Sequence, residues 1–192
     1  MQLYGIGDLH LSLGVPEKPM DIFHGWENYM QLLEQHWRAM VQPEDTVVLA
    51  GDLSWGMTLP QAKADFAFLE TLPGQKIILK GNHDYWWNSM KKMQQFFADN
   101  GFDSLHILHN NHYAFQQYGI CGTRGWVSIN GETADAKVLA REVQRLEVSI
   151  QSALNEQLTP IVFLHHGFWY MGVPYVSGDP SMERIEEKEF YR

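Results

Sequence analysis

Three short apolar runs, separated by stretches of helical periodicity, constrain this chain more than any other feature. Leu3 to Ile6, Thr46 to Ala50 and Lys76 to Lys80 read as buried strands. After the first, Tyr29, Met30, Leu33, Trp37 and Met40 recur at helical spacing from Trp26, and Pro43 closes that helix. After the second, Pro60 opens a helix with Ala62, Phe66 and Leu69 on one face, and Pro73-Gly74 ends it. After the third, Trp86, Met90, Met93 and Phe97 mark a helix that Asn100-Gly101 stops. Strand and helix in strict alternation predict right-handed βαβ units and a largely parallel sheet.

The middle of the chain changes character. Leu105 to Leu108, Tyr113 to Gln116 and Tyr118 to Cys121 are short strand candidates, expected as antiparallel pairs. Ala134 to Gln157 reads as a long helix that buries Leu139, Val143, Leu146, Ile150 and Leu154. Ile161 to Leu164 is one more buried strand. Gly167 to Pro180 is loop-like, and Met182 to Arg192 has helical composition. The class is α/β, in a single domain over residues 1–192.

Composition narrows the functions open to such a domain. A hydrophobic fraction of 45% with 19% charged residues fits a folded core. The net charge of -9 argues against an extended nucleic-acid surface and leaves small phosphorylated substrates open. Cys121 is the sole cysteine, so no intrachain disulfide forms, as fits the cytoplasm. The chain enters a strand at once, without a basic n-region, and no apolar run approaches about 20 residues, so neither a signal peptide nor a membrane span is expected.

Each predicted strand of the α/β pattern hands over to a polar cluster. These are Asp8-Leu9-His10, Gly51-Asp52, Gly81-Asn82-His83-Asp84 and His165-His166. Ligands of open α/β sheets bind at the carboxyl ends of the strands, so the clusters can converge. Asp8 and His10 can share one ion, the lone carboxylate of Asp52 can bridge two, Asn82 offers a neutral oxygen, and His165 adds a nitrogen. Mixed oxygen and nitrogen donors without thiolate suit Mn²⁺, Fe²⁺/Fe³⁺ or Zn²⁺ in a catalytic role. Two such ions, ~3.5–4 Å apart, lower the pKa of a shared water and clamp phosphoryl oxygens during in-line attack. His83 can then protonate the leaving alkoxide or stabilise phosphoryl charge, with Asp84 orienting its imidazole.

These clusters resemble the signature of the calcineurin-like metallophosphoesterase superfamily: D-x-H, G-D, G-N-H-D/E, a late His, then G-H-x-H. Asp8-x-His10, Gly51-Asp52, Gly81-Asn82-His83-Asp84 and His165 match in order and in strand context. The similarity extends to a group of small bacterial phosphohydrolases through Gly5 to His10, Gly51 to Trp55, Gly81 to Trp87 and Gly122 to Trp126. The resemblance implies a sandwich of two mixed sheets flanked by helices. It also implies that Asp8 and His10 hold one metal, Asp52 bridges, Asn82 and His165 hold the second, and His83 is the catalytic imidazole. No histidine follows His166, so the G-H-x-H has no counterpart. The expectation is a fold lacking its C-terminal strands, weaker metal binding, and a sheet edge that invites homo-oligomerisation.

Two further residues carry alternatives. Arg124, in a Gly-bounded loop, either grips a substrate phosphate or makes a structural ion pair. His166 is either a packed loop residue or part of the substrate site. The expected function is a dinuclear metal-dependent hydrolase of phosphodiesters or phosphomonoesters, acting on a small or nucleotide-like substrate. The contrasting reading is a protein-binding module that keeps the scaffold but not the chemistry.

Overall fold

A computed structural model describes residues 1–128, 133–170 and 173–174. Its first half alternates strand and helix: β1 (Leu3–Ile6), α1 (Tyr29–Met40), β2 (Thr46–Ala50), α2 (Leu59–Glu70), β3 (Gln75–Leu79), α3 (Met90–Asn100) and β4 (Leu105–Ile107). The four strands form one sheet in the order β1-β2-β3-β4, and every pairing in it is parallel. The second half gives β5 (Tyr113–Phe115), β6 (Tyr118–Thr123), β7 (Trp126–Ser128), α4 (Thr133–Asn155), β8 (Thr159–Leu164), β9 (Phe168–Tyr170) and β10 (Val173–Pro174). β5-β6-β8 is a mixed sheet, antiparallel at β5–β6 and parallel at β6–β8. β7, β9 and β10 form a short third ribbon.

The alternation of side chains along β2 and β3 builds the sandwich. Val47 and Leu49 of β2 and Ile78 of β3 face the helices, joining Phe66, Leu69, Trp86 and Met93 in one core. Val48, Ile77 and Leu79 face the other way and pack with Phe115 and Ile120 of the mixed sheet. Strands buried on both faces must be continuously apolar, which is why these runs do not alternate with polar residues. The α/β sandwich is as expected, except that its larger sheet is wholly parallel and only the smaller one is mixed.

Several local expectations shift. β4 adds parallel to β3, Lys76 opposite Leu105, instead of joining an antiparallel pair. α3 begins at Met90, so Trp86 enters the core from a turn and not from a helix. α4 leaves Leu154 48% exposed and buries Glu142, Ser149 and Ala153 in its inward face. Phe168–Tyr170 and Val173–Pro174 are strands where a loop was expected. Met182 to Arg192 and the expected C-terminal truncation of the sheet lie outside the described residues. Among the described residues no helix is long and apolar enough to cross a membrane.

Candidate metal centre

The segments after β1 and β2 run side by side beyond the sheet. Asp8 N–H donates to Gly51 O at 3.0 Å, His10 N–H to Asp52 O at 2.9 Å, and Leu11 N–H to Leu53 O at 2.9 Å. This extended pairing carries Asp8 and His10 alongside Asp52. All three have left-handed backbones, with φ of 57°, 46° and 52°. Such angles cost an L-residue with a β-carbon about 1–2 kcal/mol each. Asp8, His10 and Asp52 each present a ligand atom, and these atoms lie within 4.8 Å of one another. Hydrogen bonding to His10, followed by the charges of the nearby histidines, holds the Asp8 carboxyl below its usual range. The His10 ring stacks on Trp55 with centroids 4.9 Å apart.

The segment after β3 closes over Asp52. His83 N–H donates to Asp52 Oδ1 at 2.8 Å, and His83 Nδ1 lies 2.6 Å from Asp52 Oδ2. The His83 ring is 39% exposed while Asp52 is buried, so the imidazole spans from the carboxylate to solvent. After β8, His165 donates from Nδ1 to Ala50 O at 2.9 Å. Its Nε2 therefore faces inward, 2.7 Å from Asn82 Oδ1 and 3.6 Å from Asp52 Oδ1. His166 Nε2 reaches the same Asn82 oxygen at 2.8 Å. Burial, reinforced by His165, lowers the pKa of His166. The structure thus brings Asp8, His10, Asp52, Asn82, His83, His165 and His166 to one place.

Asp84 departs from expectation. It does not orient the His83 ring, whose carboxylate partner is Asp52. Its two oxygens instead accept N–H groups from Gly81 (2.7 Å), Asp52 (3.0 Å), Leu53 (2.9 Å) and the Trp86 indole (3.0 Å). Asp84 is 1% exposed, and burial holds its pKa above the ordinary carboxylate value against the pull of those donors. It is a clasp between the β2 and β3 loops. The clasp works only because backbone meets backbone there. A Cβ on Gly51 would lie 2.7 Å from Gly81 Cα and from His165 Nδ1, and one on Gly81 would overlap Asp52.

Arg124 makes an ion pair. Its guanidinium lies 3.7 Å from the buried Glu142 and 4.8 Å from the Trp126 ring centroid. Its carbonyl accepts the N–H of His166 at 2.8 Å, which ties the loop to the centre. Two neighbours were not singled out from sequence. Trp55 flanks both His10 and His83, the latter at 5.2 Å between centroids. Its position three residues after Asp52 was the available signal. Glu142 was hidden by its charge, although it falls between Leu139 and Leu146 on the inward face of α4.

The donor set fits a divalent cation. With Nδ1–H given to Ala50 O, His165 aims Nε2 at the oxygens of Asn82 and Asp52. That nitrogen and those oxygens, with Asp8 and His10 beside the same Asp52, make a mixed oxygen and nitrogen ligand set of the kind divalent cations take. The family model for calcineurin-like phosphoesterases matches residues 1–190, and the chain belongs to that family of metal-dependent phosphoester hydrolases. A solved structure of AQ665, a protein of unknown function from Aquifex aeolicus, is similar at 18% identity, with a TM-score of 0.43 over 84% of this chain and 89% of that one. No curated protein matches the chain.

Proposed function

We propose that this chain is a dinuclear metal-dependent hydrolase that acts on phosphate esters, monoester or diester, of small or nucleotide-like compounds in the cytoplasm. The observation that carries the reading is the convergence of Asp8, His10 and Asp52 within 4.8 Å, with His165 Nε2 3.6 Å from the same Asp52 and 2.7 Å from Asn82 Oδ1. Asp8 and His10 hold one ion, Asn82 and His165 the other, and Asp52 lies between the two sets. Mn²⁺, Fe²⁺/Fe³⁺ and Zn²⁺ all suit these donors. When bound, such ions supply Lewis acidity, lowering the pKa of water and drawing charge from phosphoryl oxygens.

The chain's own residues do the rest. Ala50 O fixes the His165 tautomer, so Nε2 is always the nitrogen offered. Asp84 holds the β2 and β3 loops in register, which sets the Asp52–Asn82 spacing. His83, held by Asp52 at Nδ1, presents its other nitrogen to the leaving group and donates a proton there as the P–O bond breaks. Trp55 and the exposed Tyr85, with ring centroids 5.2 and 6.2 Å from that of His83, offer apolar surface to the departing group.

The test is hydrolysis of bis-p-nitrophenyl phosphate with and without Mn²⁺, in parent and Asp52→Asn chains. Mn²⁺-dependent turnover lost in the variant is the expected result. Absence of Mn²⁺-, Fe²⁺- and Zn²⁺-dependent turnover towards both this diester and p-nitrophenyl phosphate would overturn the reading.

A further inference from the structure

Beside the metal centre lies a cavity lined by Lys80, His109, Arg124, Glu142 and Arg145. It opens at the carboxyl ends of β3 and β6, where Lys80 directly precedes Gly81-Asn82 and where Arg124 O accepts the His166 N–H. The cavity is about 10 Å³, room for one water-sized group.

Its charge does not balance. Among the described residues of the lining, Lys80, Arg124 and Arg145 are cations and Glu142 is the one carboxylate. Glu142 is already engaged: Oε1 takes Arg145 at 2.5 Å and Arg124 at 3.7 Å, and Oε2 accepts from Thr123 Oγ1 at 2.6 Å. Among the described residues, Arg124 Nε is buried without a hydrogen-bond partner. Among the described residues the Lys80 ammonium has no hydrogen-bond or ion-pair partner. A buried donor without an acceptor costs about 1–3 kcal/mol, and a purely structural network would not leave one beside an unpaired cation.

We propose that this cavity is an anion subsite. It takes a terminal oxygen of a second anionic group, carboxylate or phosphate, on a substrate whose reacting phosphate sits at the metal centre. The subsite rests on the phosphoesterase reading of the neighbouring centre, and it narrows the substrate class to phosphate esters bearing two anionic groups. A second group entering beside His166 would accept from Arg124 Nε and neutralise Lys80 together. The small volume admits the tip of such a group and not the body of the molecule.

The experiment is isothermal titration calorimetry of the metal-free 192-residue chain at pH 8 and constant ionic strength, with sodium sulfate and sodium acetate as probes. One saturable site is expected, weakened about tenfold in Lys80→Met and in Arg145→Gln, as fits the loss of a charge-assisted contact. Saturation by sulfate assigns a phosphate as the natural group, and saturation by acetate alone assigns a carboxylate. No saturable binding of either anion to the parent, or equal affinity in parent and both variants, would overturn the subsite. The titration needs no turnover, and bis-p-nitrophenyl phosphate carries no second anionic group. Each result can therefore fail without the other, which separates the subsite from the hydrolase reading.

Discussion

Replacing Asp84 by asparagine separates two roles for this carboxyl, as an orienter of His83 or as the clasp between two loops. The amide can keep one oxygen where Leu53 N–H and the Trp86 indole donate, at 2.9 and 3.0 Å. Its NH₂ then faces Gly81 N–H and Asp52 N–H, which now donate to the other oxygen at 2.7 and 3.0 Å. Two buried N–H groups lose their acceptor, at about 1–3 kcal/mol each. Relief of the burial penalty on the charge offsets part of this, leaving a net loss of about 2–4 kcal/mol. For a chain of this size that is a fall in Tm of about 4–16 °C. Urea unfolding followed by tryptophan fluorescence measures it, and calorimetric Mn²⁺ titration measures the loosened Asp52–Asn82 spacing as weaker metal binding. A variant within about 0.5 kcal/mol of the parent, with normal Mn²⁺ affinity and slower turnover confined to poor leaving groups, would refute the clasp and restore the orienting role.

Other perturbations read other parts of the site. On the proposed reading, in which Asp52 lies between two ions, Asp52→Asn is expected to weaken both metals together by metal titration; loss of a single ion would argue against a shared ligand. Gly81→Ala places a methyl on Asp52 and is expected to cost more than about 3 kcal/mol in urea unfolding or to abolish Mn²⁺ binding, and parent-like values in both assays would contradict the packing. Asp65 is buried, accepts from Ser54 Oγ at 2.5 Å and Leu13 N–H at 2.8 Å, and has its pKa pushed up to about 6 by burial. The folded chain therefore holds this proton more tightly than the unfolded one. The contribution is full below about pH 4 and is lost as pH rises to about 6, in total about 3 kcal/mol. Asp65→Asn should flatten stability between those pH values, and an unchanged slope would show that another group titrates there.

The parts of the fold that were legible share one property: their signal lies within a single element. β2 and β3 stand out because Val47 to Leu49 and Ile77 to Leu79, buried on both faces of the sheet, are unbroken apolar runs, and α2 because Pro60 is a start signal, to which the structure adds the Thr58 cap. The parts that were not legible depend on partners distant in sequence. A three-residue strand such as β4 has too few residues for a period, so only its pairing with β3 reveals its direction. The turn at Asp84 was masked because Trp86 falls on the helical spacing of Met90 and Met93, although what holds it is the Asp84 carboxylate. The identities of the centre's side chains were readable at the strand ends. Their division of labour was not, because whether Asp52 or Asp84 meets His83 is decided by how two loops 31 residues apart close on each other.

The left-handed backbone at Asp8, His10 and Asp52 has a consequence for how such a domain can be improved. At each position glycine would relax the main chain, so the route to a sturdier fold runs through the residues that offer ligand atoms. Stability and chemistry are opposed here at the level of single φ angles. Any search that ranks variants by thermal resistance alone would drift towards an inert domain of the same shape, and a screen for robust forms of this protein has to score metal uptake at the same time.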